Sequence, residues 1–315
     1  MSRAVPSGAR RVLIGVVVAL VASAFVGVGA CSRKEPEKKA AAGEVNTPRV
    51  VALSPAIAAI MRDEGFERLI VGRHAYDIVL PRAIPSCGEQ GTLDYEALLA
   101  TRPSHVLVQW GKQELPARLL ELGRQQAWHV ESIDILTLEQ IDQAQQRVHE
   151  LLDPARPVDR ARLTSARIDA LKAANPDLAS RGRVLLIASA GATFGVLGPG
   201  SCHAQVLERL GVRAAKIDGG PWSTMDAEDI FALRPDGIIV IQPRAWGAPA
   251  KTWTHDEVLG LLAGAARLDL AAIREKRLAV IDDPLALIPS TSMADFAADV
   301  ARAVGAWGPV ETTAR

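Results

Sequence analysis

The side chains able to do chemistry are scattered along this 315-residue chain. Histidines fall at 74, 105, 129, 149, 203 and 255, with no HxH or HExxH spacing, and a free metal ion needs several convergent ligands. No GxxxxGK[ST] phosphate loop and no GxSxG nucleophile elbow occurs, so neither of these enzyme classes is written in the chain. The run Gly198-Pro199-Gly200-Ser201, at a predicted helix start, offers backbone N–H groups to an anion, whether of a ligand or of a substrate. What remains is a set suited to holding a molecule. Tyr76, Trp110, Trp222 and Trp246 present rigid aromatic faces that lose little side-chain entropy on binding. Ser54, Gln90, Gln109, Ser189, Arg244 and Asp282 supply polar groups. Trp222 carries the most weight, because Gly219-Gly220-Pro221 fixes a loop just before it. His74 and His203 are the two histidines near predicted loop ends, placed to serve a metal carried within a ligand. No catalytic residue and no metal ligand set is identified.

These residues need elements to position them, and an internal repeat supplies the plan. Thr92-Leu93-Asp94-Tyr95-Glu96 opens a segment that runs through Arg102-Pro103 to Val106-Leu107-Val108. Thr224-Met225-Asp226-Ala227-Glu228 opens another, through Arg234-Pro235 to Ile238-Ile239-Val240. The offset is 224 − 92 = 132 throughout. In each copy the Asp caps a short helix and the Glu sits in its first turn, favoured by the helix dipole. Leu98 or Ile230 faces inward. Arg-Pro then stops the helix, since the residue before Pro disfavours the α region. A continuous apolar strand follows, as in a parallel sheet covered on both faces. One helix feeding one buried strand, used twice, predicts two similar α/β lobes.

Other segments fit this plan. Arg49-Val50-Val51-Ala52-Leu53 reads as the first strand of lobe one, with a helix over 55–64 after it. Arg183-Val184-Leu185-Leu186-Ile187 is its counterpart in lobe two, where a helix begins near Ser201 and ends at Gly211. Strands are also expected at Leu69-Ile70-Val71 and at Leu278-Ala279-Val280-Ile281. Between the lobes, residues 158–174 hold Leu163, Ala166, Ile168 and Leu171 among charged residues, without Gly or Pro. They predict one amphipathic helix of about five turns, stiff enough to limit the lobes to small rocking. Ligands of open α/β sheets bind beyond the carboxyl ends of the strands, which places the candidate residues above in a cleft between the lobes.

Composition narrows the function further. Lys+Arg and Asp+Glu both number 36, so the chain lacks the basic footprint that nucleic-acid binding requires. At the start, Arg10-Arg11 precede an apolar run that ends Val28-Gly29-Ala30-Cys31. Such an arrangement reads as an export signal over 1–30, with a single-span anchor as the alternative. Either places the body outside the cytoplasm. Residues 31–47, rich in Lys, Glu, Ala and Pro, read as a flexible tether. Lobe one is then expected over 48–155, the linking helix over 156–178, lobe two over 179–308 and a tail over 309–315. Cys87 and Cys202 stay open between a disulfide and two separate thiols.

The ensemble resembles the helical-backbone class of periplasmic binding proteins of ABC importers, the group with siderophore, haem and vitamin B12 receptors. The resemblance covers about residues 48–308 and rests on four features. They are Arg49-Val-Val-Ala-Leu-Ser54-Pro55, the repeated D-x-E…R-P unit, Gly198-Pro199-Gly200-Ser201 and the linking helix. It implies two Rossmann-like lobes joined by a single long backbone helix, with the ligand cleft between them. It implies lipidation of Cys31, in a sequence resembling the bacterial lipobox with Val28 in place of the usual Leu. A monomer held to the membrane by that lipid is expected, with an ABC permease and its ATPase as partners. Glu96 and Glu228 occupy the positions that dock the permease, away from the strand-end loops. No intrinsic cofactor is implied; an iron chelate, haem or corrinoid is the transported ligand. Two departures bear on the ligand. Gln90 stands where the B12 resemblance leads to a second cleft Trp, and Pro284-Leu285-Ala286-Leu287 stands where a cleft Arg is expected after Asp282-Asp283. A two-lobed sensor signalling to a receptor is the competing reading, and an exported enzyme is a third.

Overall fold

The computed structural model describes residues 47–310. The export signal, Cys31 and nearly all of the tether lie outside the described residues, as do residues 311–315. The described residues make one compact unit, within which two sheets are organised as the repeat predicts.

Lobe one runs β1 (Val50–Leu53), α1 (Pro55–Asp63), β2 (Ile70–Arg73), β3 (Gly88–Glu89), β4 (Thr92–Leu93), α2 (Tyr95–Thr101), β5 (His105–Val108), α3 (Ala117–Gln126), β6 (His129–Ser132) and α4 (Leu138–Leu152). After α5 (Thr164–Ala174), lobe two begins with β7 (Arg183–Ser189), β8 (Phe194–Leu197), α6 (Cys202–Leu210), β9 (Arg213–Ala214) and β10 (Trp222–Met225). It continues through α7 (Ala227–Leu233), β11 (Gly237–Ile241), α8 (His255–Leu261), α9 (Ala271–Arg274), β12 (Leu278–Ile281) and α10 (Met293–Gly305). Lobe one holds a parallel sheet in the order β2-β1-β5-β6, with β3 and β4 as a separate hairpin. Lobe two is ordered β10-β8-β7-β11-β12, with β9 beside β7. There β7, β11 and β12 are parallel, while β8 is reversed, pairing antiparallel with β7 on one side and with β10 on the other.

Local chemistry accounts for the repeat. Asp94 and Asp226 both cap their helices, accepting from Ala97 N and Asp229 N at 2.9 Å each. Both helices end on an arginine in the left-handed region, Arg102 at φ 47° and Arg234 at φ 46°. The following proline ends each helix as expected. Arg49 donates to the carbonyls of Arg102 and Thr101 at 3.0 and 2.6 Å. Arg183 donates to the carbonyl of Arg234 at 2.7 Å. Each short helix is therefore tied by its C-terminal end to the start of the lobe's first strand.

The linking helix is shorter than the sequence predicts. Arg160–Arg162 form a 3-10 turn capped by Asp159, Leu163 is extended (φ −56°, ψ 140°), and only then does α5 run, for 11 residues. The cause is tertiary. Gln145 Oε1, on α4, accepts from both the backbone N and the hydroxyl of Thr164, at 3.0 and 2.9 Å, which fixes where α5 begins. Its amphipathic stripe is also narrower, with Thr164 and Ile168 as its buried residues.

Alternation along the strands sets the layers. Val50 and Ala52 face one core with Val184 and Leu186; Val51 and Leu53 face a second, and Leu185 and Ile187 a third. The first of these cores is continuous between the lobes, joining Ile57, Ile141 and Val148 to Ile168, Val206 and Phe296. Helices α4, α5, α6 and α10 pack within it.

Candidate ligand-binding site

Every strand of the lobe-one sheet delivers a residue to one concavity of about 320 Å³. Leu53 and Ser54 come from the end of β1, His74 from β2, Gln109 and Trp110 from β5, and Asp134, Ile135 and Leu136 from the segment after β6. Gln90 joins them from the β3–β4 turn. The floor is held by a relay. Ser54 Oγ donates to Gln109 Oε1 at 2.8 Å, and Gln109 Nε2 donates to the Ile135 carbonyl at 3.1 Å. Ser54 Oγ also accepts from Ala56 N at 3.1 Å, capping α1. Trp110 is buried, its backbone N–H donating to Ser132 Oγ at 3.1 Å, and Gln90 Nε2 reaches the Trp110 carbonyl at 3.5 Å. With these groups bonded to one another, the floor is rigid and predominantly a surface for shape and apolar contact.

His74 is half-buried, and that burial holds its pKa below the usual histidine value against the opposing pull of Glu89 and Asp77. Its Nδ1 accepts from Tyr76 N at 3.2 Å, which leaves the proton of the neutral ring on Nε2. Tyr76 is 69% exposed, with its ring 5.9 Å from that of His74. Its loop is anchored: Asp77 Oδ1 accepts from Val79 N and Leu80 N at 2.9 and 2.7 Å. Val79 packs with Ala59 and with Leu285 of lobe two.

In lobe two, Trp222 opens strand β10 rather than lying on a loop, and it pairs with Leu197 of β8. The run Trp-Ser-Thr-Met suits an edge strand, and β8 gives it a ladder to join. The indole lies over Gly195, where any Cβ would overlap the ring and Ser189 Oγ. Ser189 Oγ in turn accepts from Gly195 N at 3.1 Å. Two of the predicted residues, Ser189 and Trp222, thus meet on a glycine floor, and the ring stays 53% exposed.

The other lobe-two candidates are differently engaged. Arg244 forms an ion pair with Asp282 at 2.9 Å and donates to the Ala248 carbonyl at 3.0 Å, and Asp282 accepts from Lys251 N at 3.1 Å. Together they tie the segment after β11 to the end of β12. Trp246 stacks on Arg62 at 5.4 Å, at the end of α1 remote from Ser54, about 12 Å along the helix axis. His203 belongs to the core: Nε2 lies 2.7 Å from the Ala286 carbonyl and the ring meets Phe296 edge-on. Cys87 and Cys202 are both free and buried. Asp134 and Leu136 were not legible in the sequence, because β6 is too polar to read as a strand.

Glu96 and Glu228 are exposed in the first turns of α2 and α7, and neither forms an ion pair among the described residues. The C-terminal end of each helix is tied to the start of a strand, so its first turn points towards the carboxyl edge of the sheet. Glu96 therefore lies towards the carboxyl edge of the lobe-one sheet and Glu228 towards that of the lobe-two sheet, and neither lines the concavity.

The sequence matches no family model and no curated protein. Solved structures do resemble it. The periplasmic haem-binding protein HutB of Vibrio cholerae superposes with a TM-score of 0.65 at 18% identity, over 81% of this chain and 98% of that one. The periplasmic haem-binding protein RhuT of Roseiflexus sp. RS-1 gives 0.59 at 22% identity, over 82% and 98%. The vitamin B12-binding protein BtuF of Vibrio cholerae gives 0.58 at 17% identity, over 82% and 96%. The chain has the two-lobed α/β fold of these periplasmic binding proteins.

Proposed function

We propose that the chain is the extracytoplasmic substrate-binding lipoprotein of an ABC importer. It captures a haem, corrinoid or ferric chelate between its lobes and hands it to a membrane permease driven by an ATPase. It acts as a monomer, carries no cofactor of its own, performs no catalysis and is anchored through lipidated Cys31. The observation that carries the reading is the concavity at the carboxyl ends of the four strands of the lobe-one sheet, with exposed Tyr76 and Trp222 as aromatic faces. A rigid, pre-bonded floor suits capture of a preformed ligand. The fold shared with proteins named for haem and vitamin B12 supports the ligand class.

The test is titration of the purified protein with haemin, cyanocobalamin and ferric desferrioxamine, followed by absorbance and Trp fluorescence. One of the three is expected to saturate with quenching; failure of all three would remove the ligand class. In cells, reversing Glu96→Lys with Glu228→Lys is expected to abolish uptake of that ligand and leave its affinity unchanged. A tenfold fall in affinity, about 1.4 kcal/mol, would place the glutamates in the pocket instead.

A further inference from the structure

The 132-residue repeat persists in the exposed positions as well as in the capping and core ones. Leu98 and Ile230 are both fully buried, so the next residue in each copy is turned outward. Those residues are Leu99 and Phe231, large apolar side chains 38% and 42% exposed. Each lies three positions after the unpaired Glu96 or Glu228, which puts both on one face of their helix, about 5–6 Å apart at Cβ. Arg49 and Arg183 orient the two helices in the same way against their sheets. An exposed apolar residue at one such site would need no explanation. The same pairing of a carboxylate without an ion pair among the described residues and a partly exposed apolar side chain, at matching positions of both lobes, does need one, because the folded chain leaves over a third of both Leu99 and Phe231 open to solvent.

We propose that Leu99 and Phe231 are the apolar anchors of a paired docking surface, each set beside its glutamate, for a permease whose two halves each present an apolar recess with a basic rim. This inference rests on the import reading above and adds to it the residues that grip the permease. Two equivalent patches on one chain match a partner with two equivalent surfaces. The free carboxylates call for basic groups beside each recess. Small buried apolar anchors inside a polar rim concentrate binding energy in most protein interfaces. The larger ring at 231 makes lobe two the stronger grip.

The experiment uses the full-length, membrane-anchored protein with the permease and ATPase of the same cell, co-reconstituted in proteoliposomes. Docking is read as stimulation of ATP hydrolysis against protein concentration. Leu99→Ser and Phe231→Ser are each expected to weaken docking by about tenfold or more, and the pair by the product, since distant sites add. Phe231→Leu should restore most of the loss, and ligand titration should be unchanged in every variant. Docking of the double Ser variant at wild-type strength, while Glu96→Lys with Glu228→Lys abolishes it, would overturn the anchors and leave the import reading standing. Wild-type protein that fails to stimulate ATP hydrolysis would overturn both.

Discussion

At the scale of single residues, the site turns on where aromatic faces are held. The Trp222 ring is fixed by what is missing beneath it. Gly195 has no Cβ, and one added there would overlap the indole. Trp222→Ala should weaken ligand binding by about 1–3 kcal/mol, the scale of a lost aromatic contact, with the fold intact because the ring is half-exposed. Gly195→Ala tests the arrangement from the other side. It keeps the indole but displaces it, so affinity should fall and Trp emission should shift together. Unchanged titrations for both variants would remove Trp222 from the cleft. His203 makes a contrasting prediction. Burial lowers its pKa below the usual value of about 6.5. Below that pH the unfolded chain takes up a proton that the folded chain resists, so stability falls as pH drops and is level above it on this account. His74 and His105 act with the same sign. Thermal melts from pH 7.5 to 5 should show a shallower acid loss in His203→Gln than in the wild type; parallel curves would show that His203 does not titrate in this range.

Among the elements, α5 is the piece whose role departs most from its sequence. Ile168 is its buried apolar residue, packed in the core that α4, α6 and α10 share. Ile168→Ala should cost about 2–5 kcal/mol, the range for truncating a buried aliphatic side chain, and a smaller cost in urea unfolding would mean that α5 is only a spacer. What sequence made legible follows the same logic. The repeated helix–strand unit could be read because its signals are local: an Asp cap, an Arg-Pro stop and a run such as Ile238-Ile239-Val240. Ser54, Gln109 and Trp110 followed from the rule that ligands sit at strand ends, and Gln90 from its place six residues before Glu96 in the B12 resemblance; all four line the concavity. The break before α5 could not be read, since it depends on Gln145 bonding Thr164 across 19 residues. Nor could β6, whose His129-Val130-Glu131-Ser132 is an edge strand. Glu131 there accepts from Arg147 at 2.7 Å, and an edge needs no apolar run. The Arg244–Asp282 pair spans 38 residues, so each looked like a free cleft group in isolation.

For the whole molecule, the decisive feature is that the lobes share a core. Strands of both sheets and helices from both halves contribute to one continuous apolar layer. Polar ties reinforce it: Gln205 Oε1 accepts from Leu138 N at 2.8 Å, and Thr291 Oγ1 donates to Asp63 at 2.5 Å. Opening the lobes widely would expose that layer to water at roughly 25 cal/mol for each Å² of apolar surface. A few hundred Å² already exceeds what a ligand's preference for the closed state commonly supplies, so large hinge motion is disfavoured and small rocking remains. Two measurements follow. Thermal unfolding should be one cooperative transition reported alike by Trp222 in lobe two and by Trp110 in lobe one, because neither lobe keeps its core without the other. Small-angle scattering with and without saturating ligand should give radii of gyration that agree within error. Two resolved transitions, or a clear compaction on binding, would show that the shared layer does not couple the lobes. The cleft would then have to close on its ligand rather than receive it ready-formed.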